Sequence, residues 1–496
     1  MTQKWRDFRG VSYFVGAVVA GLGVAMGLCS AAGALFNWLD QDESLGGGAA
    51  ALAQAGAVTF ALGLAGLTYG KRYRTPSMTR REALLTVALI WTMAGFVGAL
   101  PFVIGGGMGA TDALFETFSG LTTTGATVVT DIEGTLPRPV LLWRSLLQWL
   151  GGMGIVVLFV AVFPSVGKGG KMMFKGEVPG ATGEGLKPRI AETSFALWKI
   201  YIGLTAVEAV ALFLAGLSPF DAACHALTTL GSGGFSTRND SIGAWDSPLV
   251  HYIVIVFMLL ATLNFGLYYV SLKGRSVRPF LRSTEFKAFI AIALSATLLL
   301  TLGLLKDSGG NIELAFRRAL FAVSTSISST GFGIEGHLRY PSALLQLLIV
   351  LMLIGGCSGS TAGGIKIERM LILARQAGAQ VRKGVQPSIV RVVRLGRLVI
   401  DNSVTADVAS LVVIYMLCLA TGGVLVGLID GVPAETAFGA MLTCLSNMGP
   451  APFHVGDDNF AGYSAAAKAI FAVAMVLGRL EFLSVFALLL PTFWRR

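Results

Sequence analysis

Four short stretches of this 496-residue sequence share one arrangement of residue types. They read Thr123-Thr124-Gly125-Ala126-Thr127, Ser232-Gly233-Gly234-Phe235-Ser236, Ser329-Thr330-Gly331-Phe332-Gly333 and Asn447-Met448-Gly449-Pro450-Ala451. Gly125, Gly234, Gly331 and Gly449 follow one another at spacings of 109, 97 and 118 residues. The chemistry this suits is coordination of a dehydrated cation. An ion stripped of water needs oxygen ligands, and rings of backbone carbonyls supply them. Turning consecutive carbonyls inward needs dihedrals that glycine tolerates. Hydroxyls beside the glycines, at Thr122, Thr123, Ser232 and Ser329, add oxygens or tie the loop down, with Phe235 and Phe332 as further supports. Glycine is abundant (63 residues), so one such match would mean little; four in register predict a filter.

Two other features stand out. The run 355–364 holds Gly355, Gly356, Gly359, Gly363 and Gly364 with Ser360 among them. A comfortable helix is not expected there, since each glycine costs about 1 kcal/mol relative to alanine. Inside a span it must be shielded by protein or water, as a gate or as a packing kink that lets helices approach. Arg479 falls in the middle of the last apolar run, where a charge is costly and a functional candidate. Glu481 is two residues on, about 200° around a continuous helix, so the two are not expected to pair.

The elements that must position these residues are membrane helices. The chain is 54% hydrophobic and 13% charged, against roughly 25% charged in soluble domains. Its apolar runs have the ~20-residue length that crosses a bilayer. Ten spans are expected, at about 11–36, 50–70, 83–104, 142–163, 195–216, 250–271, 285–305, 343–374 (interrupted), 404–428 and 466–492. The first run is read as a helix, not a cleavable leader. Segments 111–124, 219–232, 313–329 and 433–447 are too short to span and lead into the glycine stretches, which predicts helix, pore helix, loop, helix, four times over. The expected division is an N-terminal helix pair (1–75) followed by four repeats at 76–165, 190–272, 280–385 and 400–496.

Of 38 Lys and Arg, 28 fall in alternate connecting segments, which puts those segments and both termini in the cytoplasm. The net charge of +10 is thus a topology signal, and no nucleic-acid partner is expected. Eight basic residues, Arg144, Arg317 and Lys468 among them, are assigned to the outer segments beside 17 acidic ones; a negative outer mouth concentrates cations. The five cysteines are scattered, which excludes a disulfide framework or zinc site. His225, His251, His337 and His454 are scattered too, and no catalytic motif is present, so an enzyme is not expected.

Several stretches together resemble the Trk/Ktr/HKT superfamily of cation transporters, most closely its bacterial TrkH branch. They are Phe115-Glu116-Thr117-Phe118-Ser119-Gly120-Leu121-Thr122-Thr123-Thr124-Gly125-Ala126-Thr127, Trp143-Arg144-Ser145-Leu146-Leu147-Gln148-Trp149-Leu150-Gly151-Gly152-Met153-Gly154, Gly355 through Lys366, and Gly478-Arg479-Leu480-Glu481. The resemblance implies potassium uptake across a bacterial inner membrane, with K⁺ the transported ion and Thr123, Thr124, Gly125, Gly233, Gly234, Thr330, Gly331, Asn447, Met448 and Gly449 forming the filter. A glycine rather than a serine at 125 goes with potassium over sodium in this superfamily. The run 355–364 would block the pore below the filter, and Arg479 would be an electrostatic barrier there. The implied partners are a peripheral cytoplasmic nucleotide-binding RCK-type subunit (TrkA-like), a second copy in a homodimer, and membrane lipid. Lys366 is expected to start a basic, solvated helix reaching Arg397, a docking surface or a topology charge. The alternative function is K⁺ symport with H⁺ or Na⁺; the charged residues in the spans away from their ends are Lys199, Glu208, Arg479 and Glu481. The fourth loop departs most from the pattern, so the filter is expected to be pseudo-fourfold.

Overall fold

The computed structural model describes residues 8–40, 48–73, 79–162, 186–335, 340–386, 393–396, 398–450, 459–480 and 482–494. Helices α1 (Val11–Asp40) and α2 (Gly48–Lys71) form an antiparallel pair. A Cβ at Gly16, Gly23, Gly63 or Gly70 would meet the backbone of the opposite helix. Small residues let membrane helices approach backbone to backbone, where dispersion contacts substitute for the missing hydrophobic drive.

Four repeats follow. The first is α3 (Arg80–Gly98) with its extension α4 (Leu100–Ile104), pore helix α5 (Ala110–Leu121) and α6 (Arg138–Val162). The second is α7 (Leu186–Leu214), pore helix α8 (Pro219–Leu230), α9 (Pro248–Ala261) and α10 (Phe265–Gly274). The third is α11 (Thr284–Leu304), pore helix α12 (Ile312–Ile327), α13 (Ser342–Ile354) and α14 (Ile367–Val385). The fourth is α15 (Asn402–Asp430), pore helix α16 (Ala434–Ser446), α17 (Ala465–Arg479) and α18 (Leu483–Leu489). Each pore helix packs on the second helix of the preceding repeat: α5 on α17, α8 on α6, α12 on α9 and α16 on α13. That cyclic docking closes the repeats into a ring.

Three expectations need correction. Second helices expected to run unbroken at 250–271 and 466–492 are broken. Helices α9 and α10 meet at 91° around Thr262-Leu263-Asn264, and α17 stops at Arg479, with Phe482 at φ 49° beyond it. The angle argument for Arg479 and Glu481 therefore lapses, and Glu481 lies outside the described residues. Among the described residues six helices are long and apolar enough to cross a bilayer, or seven counting the bent pair. Of the remaining second helices, α6 is continuous over Arg138–Val162, whereas α13 and α17 stop where the backbone leaves the helical path beside the pore, which is tolerated where that backbone is buried in protein. Finally, the helix expected from Lys366 to Arg397 ends at Val385, and Arg394–Leu395 pairs antiparallel with Leu398–Val399 in a small ribbon.

Candidate functional site

The four glycine loops meet at one axis. A Cβ on Gly125 would land on Gly233 O, and one on Gly234 would land on Thr330 O. One on Gly331 would lie 2.9 Å from Gly449 N, and one on Gly449 2.7 Å from Gly125 O. The contacts run round in chain order and return to the first loop. No side chain fits between neighbours, so the ring is built of backbone.

The loops leave their pore helices by one local rule. The residue two before each glycine is left-handed: Thr123 at φ 56°, Ser232 at 55°, Ser329 at 54° and Asn447 at 53°. The N–H just before each glycine then returns to the carbonyl five residues back, Thr124 to Ser119, Gly233 to Thr228, Thr330 to Thr325 and Met448 to Thr443, at 2.8–3.1 Å. This is the six-to-one bond of a Schellman end, which satisfies an otherwise orphaned carbonyl. A hydroxyl residue six before the glycine is thus a fourfold signal that the sequence reading missed. The departure in the fourth loop is real: Gly125, Gly234 and Gly331 have φ of 82°, 75° and 85°, whereas Gly449 is not left-handed.

The expected supports divide in two. Thr122 Oγ1 pairs with Thr124 Oγ1 at 2.8 Å, and Phe332 O accepts from Thr325 Oγ1 at 3.0 Å, both bracing their own loops. Ser232 and Ser329 instead reach away from the ring. Ser232 Oγ pairs with Thr361 Oγ1 at 2.7 Å, and Ser329 Oγ accepts the Gly363 N–H at 2.6 Å. Asn447 Nδ2 donates to Thr124 Oγ1 at 3.1 Å and to Met475 O at 2.9 Å, so its side chain joins loop one to α17.

Three side chains that the sequence did not assign to the ring hold it from behind. Gln148 of α6 donates to Gly233 O at 2.8 Å and accepts from Phe235 N at 3.0 Å. An amide in the middle of an apolar run was the available signal. Glu116, fully buried, accepts from Thr127 Oγ1 at 2.9 Å, Val128 N at 3.0 Å and Arg144 Nε at 2.7 Å. Arg144 also donates to Ser236 O at 2.9 Å and lies 3.4 Å from the centre of the Phe235 ring. Arg144 is therefore not an outer-loop charge but a buried tie between loops one and two. Arg317 and Lys468 are likewise buried, against His251 and Glu313, and against Asp112. His225 bonds Ser236 Oγ at 2.9 Å. His337 and His454 lie outside the described residues. Removing one member of a buried ion pair strands the other at a cost of about 3–5 kcal/mol. Arg144→Met is accordingly expected to lower the melting temperature of detergent-purified protein by many degrees, far more than Glu133→Gln at the half-exposed Arg238–Glu133 pair.

On one side of the ring opens a cavity of about 350 Å³ lined by Gly125, Gly234, Gly331, Gly449 and the loops after them. At its rim Asn239 Nδ2 donates to Asp131 at 3.0 Å. That bond, with the Gly134 N–H, holds the Asp131 carboxyl below its usual range, so it stays ionised into mild acid.

On the other side lies the run 355–364. Gly355, Gly359 and Gly364 are left-handed, at φ 65°, 69° and 69°. A Cβ on Gly363 would strike Ser446 O, which places the run directly against the fourth loop. Ser360 Oγ closes the run on itself through Cys357 O at 2.6 Å. The break between α9 and α10 pairs with it: Cys357 N donates to Thr262 O at 3.1 Å and Phe265 N to Gly359 O at 3.1 Å. Ile367 N reaches Gly356 O at 3.0 Å. Arg479, 4% exposed, donates from Nη1 to Thr361 O at 2.8 Å and from Nη2 to Gly151 O at 3.1 Å. It thus ties the run to α6 and α17. A small space of about 30 Å³ lies between the run, Tyr415 and Arg479. Among the described residues no cluster of three or more His, Cys, Asp or Glu side chains placed to hold a metal ion occurs.

Comparisons with known proteins agree with this architecture. Residues 49–493 match the TrkH family model, described as a cation transport protein. The chain is 38% identical over 433 residues to the Trk system potassium uptake protein TrkH of Escherichia coli K12, covering 86% of this chain and 89% of that one. It is 32% identical over 455 residues to TrkI of Halomonas elongata, with 90% and 91% covered. The crystal structure of the potassium transporter TrkH from Vibrio parahaemolyticus superposes with a TM-score of 0.88 at 35% identity, over 99% of this chain and 100% of that one. The chain belongs to the TrkH family of membrane cation transport proteins.

Proposed function

We propose that the chain takes up potassium through the ring of glycine loops, as a channel-like subunit of a Trk system in a bacterial inner membrane. The observation that carries the reading is the backbone ring itself, with its mouth cavity on one side. Four pore helices end beside it, at Leu121, Leu230, Ile327 and Ser446. A helix C-terminus carries about half a negative charge, which favours a cation. Carbonyls and hydroxyls of Thr123, Thr124, Gly125, Gly233, Gly234, Thr330, Gly331, Asn447, Met448 and Gly449 replace the ion's water. The relatives' names, Trk system potassium uptake proteins, support potassium as the ion.

The run 355–364 is the gate and Arg479 its bracket. Gly355, Gly356, Gly359, Ser360, Gly363 and Gly364 shape the gate; Ser232 and Ser329 hold it under the loops. Residues 1–75 form the peripheral helix pair, and 76–165, 190–272, 280–385 and 400–496 the four pore units. The basic segments face the cytoplasm with both termini. There α14, with Arg375, Arg382 and Lys383, offers a surface to an RCK-type, TrkA-like subunit, and two copies of the chain make the working dimer.

The test is ⁸⁶Rb⁺ uptake into proteoliposomes with K⁺ and Na⁺ gradients set independently, with and without that regulatory subunit. Flux that follows the K⁺ gradient and is indifferent to Na⁺ is expected. Flux that tracks Na⁺ equally well would end the potassium assignment. One observation favours coupled symport as the second reading. Glu208 is fully buried in α7 with neither carboxyl oxygen hydrogen-bonded among the described residues. Its neighbour Thr229 is committed to His225 O at 2.7 Å. A stoichiometric proton movement that accompanies K⁺ and disappears in Glu208→Gln would establish that reading over the channel.

A further inference from the structure

The run 355–364 has a closed neck. Ile365 N donates to Leu353 O at 2.9 Å and Ile367 N to Gly356 O at 3.0 Å, so the two ends of the run are tied to each other. One side chain from outside bonds a residue on each side of that neck. Glu285 Oε1, in the first turn of α11, accepts the N–H of Ser358 at 2.7 Å and the N–H of Glu368 at 3.3 Å. Glu285 is buried, and so is Glu368. The second bond is also a helix cap. Helix α14 begins at Ile367, and its N-cap residue Lys366 makes no side-chain capping bond. The first N–H groups of a helix need acceptors, and its positive end favours a carboxylate. Here the carboxylate comes from a different repeat element, 83 residues earlier in the chain. The charged groups that act on it are Glu368 and Lys366, and Arg369 acts in turn on Glu368.

Of the other ties on the run, Cys357 N to Thr262 O and Phe265 N to Gly359 O join it to the break between α9 and α10, and the rest sit at its tip. Thr361 and Gly363 bond Ser232, Ser329 and Arg479, residues of the loops or the space below them. Glu285 lines neither the mouth cavity nor the small space beneath the ring. It can therefore be altered without touching the ion path.

We infer that Glu285 is a positioning residue for the gate: its carboxyl oxygen joins Ser358 in the glycine run to Glu368 at the start of α14, and release of that joint favours movement of the run out of the ion path. The inference rests on the reading of 355–364 as a gate. It adds a residue, remote from the pore, that sets the gate's closed state.

The test uses full-length protein in proteoliposomes and three variants: E285A, E285Q, and a chain lacking residues 359–363. ⁸⁶Rb⁺ flux and the Rb⁺/Na⁺ ratio are both read. E285A is expected to raise flux about tenfold, as loss of two hydrogen bonds shifts a closed state by that order. E285Q keeps an oxygen acceptor and should raise flux less. Both should leave the Rb⁺/Na⁺ ratio at the wild-type value, which a general loss of structure would not do. Wild-type or lower flux in E285A, or in E285Q should E285A fail to fold, overturns the latch if the shortened run still raises flux. A collapsed Rb⁺/Na⁺ ratio makes Glu285 a support of the ring and also overturns it. Unchanged flux in the shortened chain sinks the gate reading itself, and the latch with it.

Discussion

Gly125→Ser is expected to collapse the preference for potassium over sodium by at least an order of magnitude. Two effects act together. Gly125 sits at φ 82°, where an L-residue is strained by roughly 1–2 kcal/mol. Its new Cβ would also land on Gly233 O, an oxygen of the neighbouring loop. That oxygen is held by Gln148 at 2.8 Å, and Gln148 also holds Phe235 N, so the strain passes into the second loop and distorts two of the four walls. Discrimination by a ring of oxygens depends on how many reach the ion and how strongly; a change of about 1.4 kcal/mol in that difference is a factor of ten. The measurement is the ⁸⁶Rb⁺/²²Na⁺ uptake ratio in proteoliposomes. The geometry also grades the series. Gly234→Ala, with its Cβ on Thr330 O and φ 75°, should be as severe. Gly449→Ala should be milder, because Gly449 is not left-handed and its Cβ would lie 2.7 Å from Gly125 O. A ratio unmoved by Gly125→Ser, in protein that elutes as a single species, removes the ring from the ion path.

Arg479→Ala should raise flux, by about one to two orders of magnitude. The guanidinium makes two bonds to backbone carbonyls, Thr361 O on the glycine run and Gly151 O on α6. Bonds from a charged donor are worth about 1.5–3 kcal/mol each, and each 1.4 kcal/mol is tenfold in the ratio of held to released run. Arg479→Lys separates the two ways this residue acts. As a point charge, lysine preserves an electrostatic barrier; it has no planar fork with which to reach two carbonyls at once. Low flux in the lysine variant and high flux in the alanine variant assign the effect to charge. High flux in both assigns it to the bracket, which the two-carbonyl geometry favours. Deleting 359–363 should resemble the alanine variant. Low flux in all three, with folding intact, would show that this region does not limit conduction.

The apolar runs, their lengths and the four glycine stretches were legible because they are local. A 20-residue apolar window, a glycine demanded by a left-handed turn, and a pore helix too short to span each leave a mark within a few residues of themselves. The pore helices accordingly appear close to the expected places, at Ala110–Leu121, Pro219–Leu230, Ile312–Ile327 and Ala434–Ser446. The run 355–364 was legible for the same reason: five glycines in ten residues do not make a helix.

What the sequence did not disclose was decided by contacts between distant segments. Thr262-Leu263-Asn264 holds neither glycine nor proline, yet α9 breaks there, because Thr262 O and the Phe265 N–H pair with the glycine run about 95 residues later instead of with their own helix. Arg144 reads as a loop charge until Glu116, Phe235 and Ser236 are brought around it. Glu285 reads as an ordinary first-turn acid until the glycine run presents two N–H groups to it. A buried polar group must find a partner, and composition tells that a partner is needed without telling which one. Membrane class, repeat number and ring glycines therefore belonged to the sequence alone. The closing of the ring, the broken helices and the side chains that hold the glycine run belonged to the tertiary structure, because only folding chooses which buried donor meets which acceptor.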